Sequence, residues 1–303
     1  MKNIGKVTTY VLLGALFVGA GIPAGIFLAR TFHFDATNYS ELNPKDFEDN
    51  VKGLYRTYET KHNEKTLEEL VDVYKPYEIV NLAEYKAEEN ENLVTIGIGE
   101  VTAVANVKQT IYATQMRLGN EYFMENLSKS KFVSVAKRFY QEEDTVYSYV
   151  GELENEKRAT WPEVVKEELT LEEHEEKWGK DLTRGSIYIV SSKTVLESDY
   201  NFVDGNLEVT LTLDPLYSVI RYVKQMVHVS DLSVPPTFHD VKVTYVIDEN
   251  LRLLSRDIYE VYDVTSFGIV SPNTKGHLKE TLYYEESLMI PSLMEHIDYD
   301  VYL

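Results

Sequence analysis

The sequence predicts an α+β fold: an N-terminal transmembrane helix, then a mainly antiparallel β-sheet covered by short amphipathic helices. Three observations predict it. An uncharged run fills most of the first thirty residues. Many short segments with a two-residue apolar/polar period then follow one another at close spacing, as in an antiparallel meander. A few stretches between capping signals switch to a helical period. The 23 tyrosines among 303 residues agree, because a ring with a polar tip suits a sheet with one wet face.

The uncharged run extends from Val7 to Ala29, between Lys6 and Arg30. As a helix it reaches about 34 Å, enough for a hydrocarbon core of about 30 Å with some tilt. Val7, Leu13, Phe17, Ile22, Ile26 and Ala29 are its anchor residues. A cleaved signal peptide is the alternative, with Val18-Gly19-Ala20 as the cleavage site. The apolar run continues past that site, which favours an uncleaved signal-anchor. Lys2 and Lys6 place the N-terminus in the cytoplasm and the main domain outside. The expected organisation is a signal-anchor over 1–31, a polar tether over 32–50 carrying Asn43-Pro44, and one extracytoplasmic domain over 51–303.

Within that domain, Leu54, Tyr55 and Tyr58 fit a short strand or a helix. Thr66-Leu67-Glu68-Glu69 is a capping box. It opens a helix with Leu67, Leu70, Val71 and Tyr74 on one face, stopped by Pro76. Strands are expected over 77–86, 93–104, 107–118, 121–124, 132–140 and 145–150, with turns at Gly119-Asn120 and 142–144. From Leu153 to Gly185 the pattern is helix and loop, with a second capping box at Thr170-Leu171-Glu172-Glu173 and Gly179 as a C-terminal stop. Residues 186–190 and 193–196 return to strand propensity.

Leu207 to Leu213 alternates apolar and polar residues. Asp214 and Pro215 then supply an N-cap acceptor and a residue suited to the first helical position. The predicted helix, 215–229, carries Leu216, Val219, Ile220, Val223 and Val227 in one apolar stripe. Pro235-Pro236 ends that region. A hairpin follows through Val241, Val243, Tyr245 and Ile247, a turn at 248–250 and a return strand from Leu251. A last strand is expected over 277–285, with the tail 290–303 on the sheet edge.

The composition excludes several function classes. The net charge is −20, and since the first thirty residues carry three basic and no acidic side chains, the remainder stands at −23. Such a domain repels phosphate backbones, so no nucleic-acid partner is expected. The chain has no cysteine, which removes disulfides, thiolate catalysis and a lipidated N-terminal Cys. The seven histidines are scattered without metal-ligand spacing. His174, amid glutamates, reads as an exposed helix residue. Gly97-Ile98-Gly99 lies inside an alternating strand and reads as a bulge or bend. Trp161 and Trp178 read as core plugs. No catalytic, metal or cofactor residue is named, and no enzyme activity is expected.

The run Val209-Thr210-Leu211-Thr212-Leu213-Asp214-Pro215, the helix after it, Pro235-Pro236-Thr237-Phe238 with its hairpin, and Gly276-His277-Leu278-Lys279-Glu280-Thr281 together carry a resemblance. The chain resembles the LolA-type and LppX-type lipoprotein carrier domains. Its C-terminal part is more closely similar to uncharacterised exported proteins of Gram-positive-type bacteria. The resemblance implies a curved open half-barrel with helices on its concave side and a cavity for acyl chains. Leu216, Val219, Ile220, Val223 and Val227 would then form the hydrophobic face of a lid. Two departures bear on function: the lipidated Cys of LppX-type proteins is missing, and a tethered chain is no shuttle. The expected function is a membrane-anchored extracytoplasmic protein binding a lipid or other hydrophobic ligand between sheet and helices. The alternative is a cell-envelope interaction or scaffold module, partnered by envelope proteins, with a filled core.

Overall fold

The computed structural model describes residues 44–103, 107–131, 134–178, 188–229, 232, 234–266, 269–285 and 289–302. The predicted anchor and most of the tether lie outside these residues. Among the described residues no helix is long and apolar enough to cross a membrane.

The first helix, α1 (Pro44–Lys61), settles the ambiguity at Leu54, Tyr55 and Tyr58 and absorbs the end of the predicted tether. Asp46 in its first turn and Lys61 in its last complement the helix dipole. Tyr55 packs its ring 4.8 Å from that of Tyr85. The capping box forms as expected: Thr66 Oγ1 accepts from the Glu69 amide, and Glu69 Oε2 accepts from the Thr66 amide at 3.1 Å. The helix it opens, α2 (Leu67–Leu70), lasts only one turn.

Pro76 does not stop α2; it starts α3 (Pro76–Glu88), which corrects the strand expected over 77–86. Pro fits a first helical turn, and Glu78 Oε2 accepts from the Lys75 amide at 2.8 Å. Ile79, Val80, Leu82, Ala83 and Ala87 are all buried, a helical stripe facing the sheet.

The strands are β1 (Asn92–Ala103), β2 (Val107–Leu118), β3 (Glu121–Ser130), β4 (Ser134–Glu142), β5 (Thr145–Val150), β6 (Glu152–Leu153), β7 (Ala159–Thr160) and β8 (Glu167–Thr170), followed after α4 (Leu171–Trp178) by β9 (Val195–Val203), β10 (Asn206–Leu213), then α5 (Ile220–Val229), β11 (Val234–Ile247), β12 (Leu253–Ser266) and β13 (Ile269–Tyr283). Eleven of them form one sheet in the order β8-β5-β4-β3-β2-β1-β13-β12-β11-β10-β9. Every pairing is antiparallel. Two meanders are thus joined where the first long strand meets the last, and the edges β8 and β9 do not pair with each other. The sheet is open.

Several boundaries move. Residues 188–194 are loop, and β9 starts at Val195. Pro235 and Pro236 lie inside β11 at a register shift, a place where a strand tolerates a missing N–H donor. Strand β13 begins at Ile269, earlier than expected. The Gly97-Ile98-Gly99 step is not a bulge, since β1 keeps continuous register with β2 and β13. A Cβ at Gly99 would stand 2.4 Å from the His277 carbonyl oxygen, so glycine there permits the close approach of two backbones.

Register defines two faces. Leu93 of β1, Leu278 and Leu282 of β13, Ile258 and Tyr262 of β12, Val243 and Tyr245 of β11, and Val209 of β10 share one face and one core with α3 and α5. The other face of β1–β4 buries Val94, Ile96, Tyr112, Met116, Phe123 and Leu127. The tail covers it with Ile290, Leu293, Ile297 and Tyr299, so the tail lies across a face of the sheet and not on its edge. Its anchor is Arg138, fully buried, which donates to Glu125 at 2.6 Å and to the carbonyl of Leu293 at 2.6 Å. Tyr299 donates to the same Glu125 at 3.0 Å. Trp161 is the expected core plug, its ring 4.4 Å from the Arg138 guanidinium.

Candidate functional site

The helix-covered face is where a ligand between sheet and helices would sit. Asp214 closes β10 and its carboxylate accepts the amides of Leu216 and Tyr217 at 2.9 and 2.8 Å. Ser218 returns its hydroxyl to the Asp214 carbonyl at 2.7 Å. These local bonds hold 215–219 in turns, and the regular helix α5 starts only at Ile220.

Four of the five stripe residues are buried: Val219, Ile220, Val223 and Val227. Leu216, in the turn, is 53% exposed. Val219 and Val223 join the large core. Ile220 packs with Ile189, Phe47 and Tyr217. The stripe is therefore in contact with other side chains of the chain. Beneath it, Tyr222, Phe238 and Tyr262 form an aromatic run with centroids 5.6 and 5.1 Å apart.

At the floor lies Glu260, 4% exposed, in the inward row Arg256, Ile258, Glu260, Tyr262 of β12. The hydroxyls of Tyr188 and Tyr222 donate to it. Burial raises its carboxyl to about 7 against the opposing effect of those two donors. Four residues earlier in the same row, Arg256 opposes Glu84 of α3 and Glu280 of β13. Its Nε reaches Glu84 Oε1 at 2.6 Å, its Nη2 reaches Glu84 Oε2 at 2.5 Å, and its Nη1 reaches Glu280 Oε2 at 2.8 Å. Burial lowers the pKa of this guanidinium, and the two carboxylates more than offset that effect and raise it above the ordinary arginine value.

A hollow opens beside this triad, between the end of α3, the start of β1, the end of β2 and the start of β3. Leu93, Thr95, Gln115, Arg117 and Tyr122 line it. It holds about 20 Å³, the space of about one water. Arg117 stacks on the Tyr122 ring at 5.0 Å, while its Nε and Nη1 are buried without a hydrogen-bond partner among the described residues.

Sequence reasoning named the stripe and missed the charges beneath it. Glu84 and Arg256 are separated by 172 positions, so no local pattern pairs them. The signal available was the period-two row through Ile258, which carries Arg256 and Glu260 inward with it. His174 is also corrected: it is 4% exposed, with its ring 5.6 Å from Phe139. Among the described residues no cluster of His, Asp and Glu is placed to hold a metal ion.

No family model matches the sequence, and no curated protein does. Among solved structures, a LolA superfamily protein from Nitrosomonas europaea is similar over 69% of this chain and 93% of its own, at 11% identity and a TM-score of 0.24. A dehydratase domain from the CurK module of curacin polyketide synthase is similar over 69% of this chain and 84% of its own, at 13% identity and a TM-score of 0.14. Superpositions at this level carry no weight for mechanism.

Proposed function

We propose that this chain is a membrane-anchored, extracytoplasmic interaction module whose helix-covered interior is filled by its own side chains, and that it performs no catalysis. One observation carries the reading. The face of α5 that would roof a ligand cavity is in contact with the core, and the hollow beside it has room for about one water, against the roughly 300 Å³ or more of a small-molecule pocket. The anchor of 1–31 and the tether are the sequence's contribution to the reading.

A second reading keeps a hydrophobic ligand between sheet and helices. The observation that favours it is Arg117, whose buried unpartnered donors beside Leu93 would suit the anionic end of an amphipathic molecule.

Two measurements test the proposal. The chain is free of cysteine, so Val164→Cys, at a position 77% exposed, creates a single thiol. A membrane-impermeant maleimide should label it in intact cells; labelling only after lysis contradicts the outside location. Titration of the purified full-length protein with a fluorescent fatty acid should show no saturable binding. Stoichiometric binding abolished by Arg117→Gln would establish the second reading.

A further inference from the structure

We propose that the outer edge of β9 is a docking site for an extended basic segment of a partner protein, which adds to the sheet as one more strand. The inference rests on the reading of the chain as an interaction module and names the chemistry of its partner.

Strand β9 is nine residues long, and every residue after Val195 is exposed. Its inner side pairs with β10 from Val203 to Val195. Among the described residues no strand pairs with its outer side. Sheets commonly protect such an edge with proline, lysine, a bulge or a very short strand. The opposite edge, β8, is four residues long and runs directly into α4. In contrast, β9 has no proline and no basic residue, and its one register irregularity lies at its start, opposite Thr212 and Leu213.

The side chains sort by face. Tyr200 and Phe202, 42% and 39% exposed, share one face with their ring centroids 6.4 Å apart. Glu197 and Asp199 occupy the other face, both exposed and in no ion pair among the described contacts. A strand laid along this edge finds unpaired backbone groups in its plane, aromatic surface on one side and carboxylates on the other. Main-chain bonds then supply affinity and alternate side chains supply selectivity. The complement is a segment alternating aliphatic residues with lysine or arginine. A second copy of the chain is a poor occupant, because two bodies of net charge −20 repel.

The test uses the full-length protein in mild detergent with two ten-residue probes, one alternating lysine with valine and one alternating glutamate with valine. Hydrogen exchange reports the β9 amides, and fluorescence anisotropy reports affinity. The lysine peptide should bind saturably, slow exchange along β9 and exceed the glutamate peptide by at least about tenfold. Glu197→Lys with Asp199→Lys, at exposed positions, should reverse that preference. Equal binding of both peptides, binding without protection of the outward-pointing β9 amides, or protection of those amides, which β10 does not engage, in the peptide-free protein would each overturn the proposal. Lipid content measured on the same sample separates the two failures. Lipid-loaded protein that ignores the peptide sinks the interaction-module reading, whereas lipid-free protein that ignores it sinks only this inference.

Discussion

At Glu260 a carboxylate gives up its hydration for two tyrosine hydroxyls, and the cost depends on pH. Its folded carboxyl stands near 7, above the ordinary value near 4.5. The folded state therefore binds a proton that the unfolded state has released. The stability it contributes is complete below about 4.5 and is lost as pH rises through about 7. A shift of this size corresponds to about 3 kcal/mol. Denaturant unfolding should show wild type losing that much relative to Glu260→Gln between pH 4.5 and 8. Parallel pH curves would mean that the group is hydrated. Two glycines on β1 offer a second test at this scale. A Cβ at Gly97 meets neighbours at 3.5 Å, but one at Gly99 meets a backbone oxygen at 2.4 Å. Gly97→Ala should be near neutral, and Gly99→Ala should cost at least about 1–3 kcal/mol in urea unfolding. Equal losses would show that β1 and β13 are not in close approach at Gly99.

Among the elements, α5 and the tail test how the two faces are covered. Val223→Asp places a charge into the core beneath α5, so the variant should lose several kcal/mol of stability. A stably folded Val223→Asp protein would show that this face points outward. On the other face, Arg138→Leu strands Glu125 without its partner and should cost about 3–5 kcal/mol. Adding Glu125→Leu should restore much of that loss, because the pair is removed together. Additive losses would mean that the ion pair does not hold the tail.

The elements were readable where local chemistry decides them. Both helix-starting signals at Thr66 and Thr170 form, with Glu69 and Glu173 each reaching back to its cap residue. The alternation of β10 is reproduced residue by residue. Helix α3 was not readable as a helix, because its apolar residues are frequent enough to satisfy a strand period as well. Its docking on β9 to β12 is a tertiary fact. The buried charges were illegible for a related reason: Glu84, Arg256 and Glu280 meet only when α3 crosses the two strands. The stripe on α5 was legible, yet a lid and a core helix need the same stripe, so its neighbours had to be seen.

For the whole molecule, the fold joins two meanders into one open sheet, with helices on one face and the tail on part of the other. The proposed recognition faces outward, from the acidic chain and the edge β9 toward a basic partner strand, and the proposed interior is filled by the chain's own side chains. The measurement that tests this most directly is native mass spectrometry of the full-length protein purified from membranes in mild detergent, with solvent extraction of the same sample. A clean mass of the chain alone is the predicted result. A reproducible adduct of lipid mass, recovered by extraction, would contradict the filled interior and return the helix-covered face to a ligand.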